Sequence, residues 1–424
     1  MGIYAKNLIL GAGISGLGAS YALRKKGEGS VIIEKDNTYG GLCSCFEIDG
    51  FRFDRFVHLS FSKLDEVNEI FNKSCPEIYR HIPNPYNLYK GIWIKHPAQN
   101  NLFPLSDEEK KLIVDDFKKR PSVEGTVVKN YEEWLRLQFG DYFAEHFPMV
   151  YTRKYWRKPA CVLRTEWAGT RVYQPSVEEV VEGCNTKETP ITYYAKEMRY
   201  PQHGGYRTYL NELINDADIR YNLEVVKIDL DKKTVYFKNG ETATYERLIS
   251  SLPLPMVAQM CNAPNEVLKA SNELECTSGY HISVGLKTKN IPPYLWWYIY
   301  DEDILASRVY SPSLKSPDNV PEGCSSLQFE VSCKKNEYTE DELIRGTVGR
   351  MVDLGILEEK DILFSHVGFE PFANVTFTEP IYQARKIVRD WLAFVGVETI
   401  GRFGEWDYLW SDQSLMSGIN IITK

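Results

Sequence analysis

No apolar run in the 424 residues approaches the roughly 18 that a spanning helix requires, so no membrane span is expected. No charged-then-apolar leader stands before the first apolar strand, and the expected compartment is the cytoplasm. A basic excess is missing too: 50 Lys and Arg face 58 Asp and Glu, a net charge of −8. Without a Lys/Arg run there is no footprint for nucleic acid or an anionic membrane, so any anionic ligand must be held by a few local arginines. No CxxC or HxxH pair offers metal spacing, and no metal site is expected. The nine cysteines are odd in number and scattered, and Cys43-Ser44-Cys45 is too close for a relaxed bridge, which argues against a disulfide framework. Internal repeats and low-complexity tracts are absent. What remains is ordinary globular composition, 43% hydrophobic and 25% charged, with room for two or three domains of ~150 residues.

The chain opens as strand, tight turn, helix, strand. Asn7 to Leu10 is a short apolar run, Gly11 to Gly16 is glycine-rich, and Ala19, Ala22 and Leu23 recur at helical spacing before a second strand, Val31-Ile32-Ile33. Residues 91–200 read as helical and polar. Ser106-x-x-Glu109 and Asn130-x-x-Glu133 are each expected to start a helix with a capping box, and Pro121 and Pro148 to lie near the helix ends. Residues 223–252 read as strands with a hairpin signal at Lys238-Asn239-Gly240. Strand patterning resumes between 278 and 383, as in His281-Ile-Ser-Val-Gly-Leu and Leu327-Gln-Phe-Glu-Val. A last helix is expected over Ile381 to Phe394, with a glycine-rich stretch, Gly401 to Gly418, leading to the C-terminus.

Gly11-Ala-Gly13-Ile14-Ser15-Gly16 fits G-x-G-x-x-G in the context that makes it count: a strand before, a helix after, and an acid, Glu34, closing the next strand. Glycines permit the turn and the approach of a pyrophosphate, the helix N-terminus faces that anion, and Glu34, 18 residues after Gly16, can accept from ribose hydroxyls. The pattern predicts a dinucleotide site.

Six residues after Glu34, which is followed by Lys35, Gly40-Gly41-Leu42 resembles the second glycine pair of FAD enzymes of the amine oxidase type, and Gly401-Arg402-Phe-Gly404 followed by Asp412 resembles their C-terminal flavin segment. Further blocks, in unbroken order, resemble UDP-galactopyranose mutases of the eukaryotic type. They are Phe53-Asp54-Arg-Phe-Val-His58-Leu-Ser-Phe-Ser62; Gly91-Ile-Trp93 with Pro97-Ala-Gln99-Asn100-Asn101; Tyr151-x-x-Lys154-x-Trp156; and Trp167-x-x-x-Arg171. Arg199-Tyr-Pro201 with Gly204-Gly205, Trp296-x-Tyr298 with Arg308, and Arg402-Phe-Gly-x-Trp406-x-Tyr408 with Asp412-Gln413-Ser414 complete the series.

The resemblance implies an α/β fold with a Rossmann-like FAD-binding domain built from residues 1–90, 201–277 and 384–424. It adds a helical substrate-binding domain at 91–200 and an antiparallel sheet domain at 278–383. It implies non-covalent FAD, active when reduced, held by Gly11, Gly13, Ile14, Ser15, Gly16, Glu34, Lys35, Gly40, Gly41, Leu42, Val226, Gly401, Asp412, Gln413 and Ser414. The implied substrate is a nucleotide sugar, bound by Gln99, Trp156, Arg171, Trp296, Tyr298, Arg308, Arg402 and Tyr408, with Arg308, Arg402 and His58 catalytic. In that family the reduced flavin attacks the anomeric carbon through N5 and displaces UDP, so that the ring can open and reclose. The diphosphate calls for planar bidentate donors, a task for which arginine is better shaped than lysine. A second GxGxxG is missing, so NAD(P)H or another reductant would dock transiently. Thr152 and Ala195 replace family asparagines, His96 replaces an aromatic residue, and Phe372-Ala-Asn-Val-Thr-Phe377 lacks the expected tyrosine, so the recognition shell is altered. The competing readings are a flavin oxidase or desaturase of the amine oxidase or protoporphyrinogen oxidase type, and a non-catalytic FAD-binding protein.

Overall fold

The computed structural model describes residues 2–121 and 125–422. Two seven-stranded sheets organise them. In the first, Ile3–Leu10 pairs in parallel with Ser30–Ile33 on one side and Thr242–Ser250 on the other, and Asp218–Arg220 and Val397–Thr399 extend these edges in parallel. Numbered by chain order, these five strands read 3-2-1-4-5, the doubly wound arrangement that leaves a ligand crevice at the carboxyl ends of its strands. The strand Thr242–Ser250 has nine residues, enough to carry two partners on one edge. Its first half pairs with the hairpin strand Thr234–Phe237, and its last three residues pair with Val397–Thr399. The Lys238-Asn239-Gly240 turn closes that hairpin as expected, with Gly240 N donating to Phe237 O at 3.0 Å.

The second sheet runs Ile362–Val375, Cys276–Leu286, Ser325–Ser332, Arg308–Tyr310, Trp296–Ile299, Tyr86–Tyr89, Ile92–Lys95. It is mixed rather than antiparallel, because Trp296–Ile299 takes Tyr86–Tyr89 as a parallel neighbour. Tyr86–Tyr89 also forms an antiparallel hairpin with Ile92–Lys95, which runs across the expected division at residues 90/91. Between the sheets in sequence lie the helices Asp107–Lys119, Tyr131–Phe139, Asp141–His146, Pro148–Trp156 and Val177–Asn185, around a core that includes Phe117, Leu135, Phe139, Phe143 and Phe147.

Local chemistry departs from expectation at several helix ends. Ser106 and Asn130 do accept from the Glu109 and Glu133 amides, at 3.3 and 3.0 Å, but neither box closes. Glu109 takes the Ser106 hydroxyl instead, and Glu133 reaches one residue further back, to Lys129 N at 2.8 Å. Complete boxes form at Ser176–Glu179 and Thr339–Glu342. Pro148 starts a helix, the position where its missing N–H costs nothing. The helix Ile381–Phe394 forms as expected but is not the last, since Ser411–Ile419 folds as another within the glycine-rich stretch. It packs hard on the first helix, Ile14–Lys25. A Cβ on Gly418 would lie 2.0 Å from Ser15 O, and one on Gly18 2.9 Å from Leu415 O.

Candidate active site

The glycine loop is built for close approach. Gly11 has φ +95°, and a Cβ on Gly16 would sit 2.0 Å from Gly11 O, whereas one on Gly13 would meet nothing within 4 Å. Gly13 thus borders open space at the N-terminus of Ile14–Lys25, a helix with no side-chain cap and no acid in its first turn. Its free amides are the donors an anion would take. Gly40 bridges Gly13 and donates its amide to Ala12 O at 2.8 Å, so the second glycine pair walls the same space. Glu34 is buried, and its two oxygens accept from Ala12 N (2.8 Å) and Asp36 N (3.0 Å), which fixes the carboxylate at the strand end. At the other end of the chain, Gly401 (φ +77°) presses on Ser15, and Asp412 and Ser414 stand in the first turn of Ser411–Ile419.

These residues fit a dinucleotide. Lys35, Val226 and Gln413 are placed less directly: all three are exposed, and Gln413 Oε1 is taken by Trp410 N at 2.9 Å. Gly16→Ala is expected to abolish dinucleotide retention, because the new methyl has no room. Glu34→Ala should weaken retention by ~1–3 kcal/mol, as for a hydrogen bond to a charged group. Cofactor released per mole of purified protein reads both.

Beside this loop lies a cavity of about 640 Å³. Its wall includes His58, Gln99, Trp156, Arg171, Trp296, Tyr298, Arg308, Arg402 and Tyr408, so every residue expected at the substrate is brought together, with Leu42 and Ser411 shared with the dinucleotide side. One sheet row explains much of this. Gly368, His281, Glu330, Arg308 and Tyr298 are successive cross-strand partners over five strands, with Asn87 next to Tyr298. Directly paired residues share a face, so the row points one way. Trp296 shares that face two residues from Tyr298, while Trp297 between them is fully buried on the other.

The arginines are held differently. Arg308 spends Nε and Nη2 on Glu330 Oε2, at 3.0 and 2.6 Å, and Glu330 Oε1 accepts Val57 N at 3.3 Å. One carboxylate thereby ties the arginine to the loop that bears His58. Arg402 donates Nη2 to Asn374 Oδ1 at 2.6 Å and lies 4.9 Å from the Tyr408 ring centroid. Arg171 donates to Trp167 O and Tyr408 O, both at 2.9 Å, and stacks 4.7 Å from Tyr408 and from Trp410. Nε of Arg171 and of Arg402 is buried without a protein partner. Three guanidiniums against one carboxylate make this an anion's cavity.

Some expected residues serve the frame instead. Arg199 donates to Asn68 Oδ1 (2.9 Å) and Ser62 O (2.6 Å). Lys154 donates to Ile299 O and Asp301 O at 3.0 and 2.7 Å, and burial pulls its pKa down to about 7. Asn101 ties Thr189 to Pro97 O. Thr152 lines the cavity but turns its hydroxyl back to Pro148 O at 2.6 Å, while Ala195 is buried in the core and does not line the cavity. Not foreseen were Tyr155, which donates to Asn374 Oδ1 at 2.9 Å, Asn374 itself, Glu330, and the tilted ring pair Tyr193–Tyr194. Asn374 lies in the 372–377 segment that lacked the expected tyrosine.

His58 donates Nδ1–H to Phe56 O at 3.0 Å, so its Nε2 carries a lone pair, and burial lowers its pKa to about 4. Burial likewise lowers His96 and His281 to about 3. The unfolded chain takes up these protons near pH 6.5 and the folded chain only near 3–4, so stability should be full above pH 6.5 and fall as pH drops toward 4. Denaturant midpoints between pH 7 and 4 check this, and His58→Gln should flatten the slope.

All nine cysteines are free thiols, and the described residues hold no cluster of three metal-ligating side chains and no helix long and apolar enough to cross a membrane.

A glycine cradle at the switch of a doubly wound sheet, in a chain with a second, mixed sheet, defines a dinucleotide-binding Rossmann protein of amine-oxidase-like architecture. Residues 9–74 match the family model of the NAD(P)-binding Rossmann-like domain. Within that class, a solved structure of reduced UDP-galactopyranose mutase superposes with a TM-score of 0.92 at 26% identity, covering 99% of this chain and 93% of that one. A putative protoporphyrinogen oxidase from an Exiguobacterium species shares the fold, with a TM-score of 0.76 at 16% identity over 100% and 99% of the two chains. A phytoene desaturase from Phycomyces blakesleeanus is 27% identical over 60% of this chain and 47% of its own length, so the chain spans about half of that relative. An uncharacterized protein from Methanothermococcus thermolithotrophicus is 43% identical over 21% of this chain and 83% of its own length.

Proposed function

We propose that the protein is an FAD-dependent nucleotide-sugar mutase interconverting UDP-galactopyranose and UDP-galactofuranose, or a related pair, for surface polysaccharide. The observation that carries this reading is the convergence of Arg171, Arg308 and Arg402 with stacked aromatics in one cavity against the dinucleotide cradle. A sugar nucleotide's diphosphate needs those forks, and its sugar and base need those faces.

A bound, reduced flavin would supply a nucleophile to the anomeric carbon and be regenerated when UDP returns. The protein's own part is then electrostatic. Arg308, with Nη1 left after its bond to Glu330, and Arg402 stabilise charge growing on the departing diphosphate. Glu330 keeps Arg308 in register with the His58 loop, and His58 Nε2 offers an acceptor for a sugar hydroxyl. Tyr155 and Arg402 converge on Asn374 Oδ1 from two sides, so that amide sets the guanidinium's angle.

Turnover should require dithionite or NAD(P)H yet consume no stoichiometric reductant, and chromatography of the two sugar nucleotides against reductant consumed reads this. The desaturase reading draws on the Phycomyces relative, but a hydrocarbon would leave three guanidiniums desolvated beside it, a costly arrangement. Steady peroxide formation from an amine or porphyrinogen would favour the oxidase reading.

A further inference from the structure

Lys154 stands behind the cavity wall, at the point where two sides of that wall are joined. It lies in the last turn of the helix Pro148–Trp156, whose Tyr151, Tyr155 and Trp156 line the cavity. Its Nζ crosses to the strand Trp296–Ile299 and the turn that follows, donating to Ile299 O at 3.0 Å and to Asp301 O at 2.7 Å. That strand carries Trp296 and Tyr298 into the cavity, and the same hairpin returns as the strand of Arg308. One turn along the helix the two sides touch, the Tyr151 and Tyr298 rings meeting edge to face with centroids 5.4 Å apart. The charged groups facing Lys154 are Asp301, Glu302 and Asp303, and each has a partner of its own. Asp301 accepts the Lys90 amide at 2.6 Å, Glu302 pairs with Arg153 at 3.0 Å, and Asp303 pairs with Arg350. Burial lowers the Lys154 pKa to about 7 against the pull of these carboxylates, and it holds the Tyr151 and Tyr300 phenols above their usual range.

A hydrogen bond from an ammonium is roughly twice as strong as one from a neutral donor, and two of them from one Nζ fix the gap between the elements they join. We propose that Lys154 is a positioning residue: its ammonium pins the side of the cavity bearing Trp296, Tyr298 and Arg308 to the side bearing Tyr151, Tyr155 and Trp156, and so fixes the width of the space that grips the anion. The inference rests on the reading of the cavity as a nucleotide-sugar site. When the pin loosens, part of the binding energy goes into ordering the two sides, so affinity falls although no ligand contact is removed. Ligand binding and proton binding at Lys154 are then linked, each strengthening the other.

The test is the affinity of the oxidised holoprotein, which does not turn the ligand over, for UDP-galactose between pH 6 and 9, read from the emission of Trp156 and Trp296. The diphosphate of that ligand is a diester whose charge is constant over this range, and burial keeps His58 and His96 neutral throughout it. The wild type is expected to bind about fivefold or more tighter at pH 6 than at pH 9, since Lys154 in the free protein loses its proton near pH 7. Lys154→Met should bind at every pH within about twofold of the wild type at pH 9. Should that variant fail to fold, calorimetry of the wild type at pH 8 in buffers of different ionisation enthalpy reads the same link, as proton uptake on binding. A wild-type affinity that does not change with pH, binding without proton uptake, or a Lys154→Met protein that binds like the wild type at pH 6 would overturn the role of Lys154 and leave the nucleotide-sugar reading standing. Binding of no UDP-galactose by the wild type at any pH would overturn both.

Discussion

Arg402→Ala is expected to lower kcat/KM by ~10²-fold or more, with most of the loss in kcat, because a charge-assisted partner of the leaving diphosphate disappears at the step where charge develops. Arg402→Lys should recover only part, since an ammonium keeps the charge without the fork. Arg308→Ala should cost as much in kcat/KM and something more in the fold. Glu330 is 6% exposed and accepts from Arg308 at two nitrogens, so the variant leaves a buried carboxylate with only the Val57 amide. Breaking a buried pair from one side costs ~3–5 kcal/mol. Arg402, whose protein partners are the Asn374 amide and the Leu409 carbonyl, carries no such penalty. Steady-state kinetics with a denaturant titration of each variant separates the two effects. Thr152→Asn and Ala195→Asn should shift preference among sugars and leave UDP binding in place.

A stability loss of the same size is expected at a pair outside the cavity wall. Lys315 and Asp54 are both fully buried and form an ion pair, with Tyr200 OH on Asp54 Oδ2 at 2.9 Å and Tyr206 N on Oδ1 at 3.1 Å. Lys315 Nζ also lies 4.6 and 4.8 Å from the Tyr200 and Tyr310 ring centroids. Lys315 ends the helix Pro312–Lys315 that follows the strand Arg308–Tyr310, and Tyr310 OH donates to Asp54 O at 3.1 Å, so these bonds tie the strand Phe51–Asp54, which leads into the His58 loop, to the strand of Arg308. Lys315→Met should destabilise the fold by ~3–5 kcal/mol, because an unpaired carboxylate stays in the core. Adding Asp54→Asn should return part of that loss, since the two substitutions are directly coupled. Chemical denaturation of the single and double variants measures the difference.

What the sequence displays plainly is what short-range geometry controls. The cradle at Gly11–Gly16 is legible because strand, turn and helix follow within 25 residues, and Gly16 answers the close approach of Gly11 O. Trp296-x-Tyr298 is legible for the same reason, since period-two alternation alone sends both rings to one face. Glu330 was hidden: in Leu327-Gln-Phe-Glu-Val it reads as an outward polar residue, and only cross-strand register sets it beside Arg308. Asn374 was hidden likewise, 28 residues from the arginine it orients. The parallel seat of Tyr86–Tyr89 against Trp296–Ile299 has no local signal at all. The helix Ser411–Ile419 escaped notice because glycine, unfavourable in an isolated helix, is there required by the close packing of Gly418 on Ser15. The capping boxes at 106 and 130 were misjudged because a glutamate at the third position can reach other donors equally well.

The diphosphate clamp is tested most directly by the affinity of UDP for the reduced holoprotein, measured by calorimetry on the wild type, Arg308→Ala and Arg402→Ala. Binding by the wild type with a loss of about tenfold or more in each variant is the expected result. If both variants bind UDP as the wild type does, the arginines do not hold a diphosphate, and the mutase reading loses the observation it stands on.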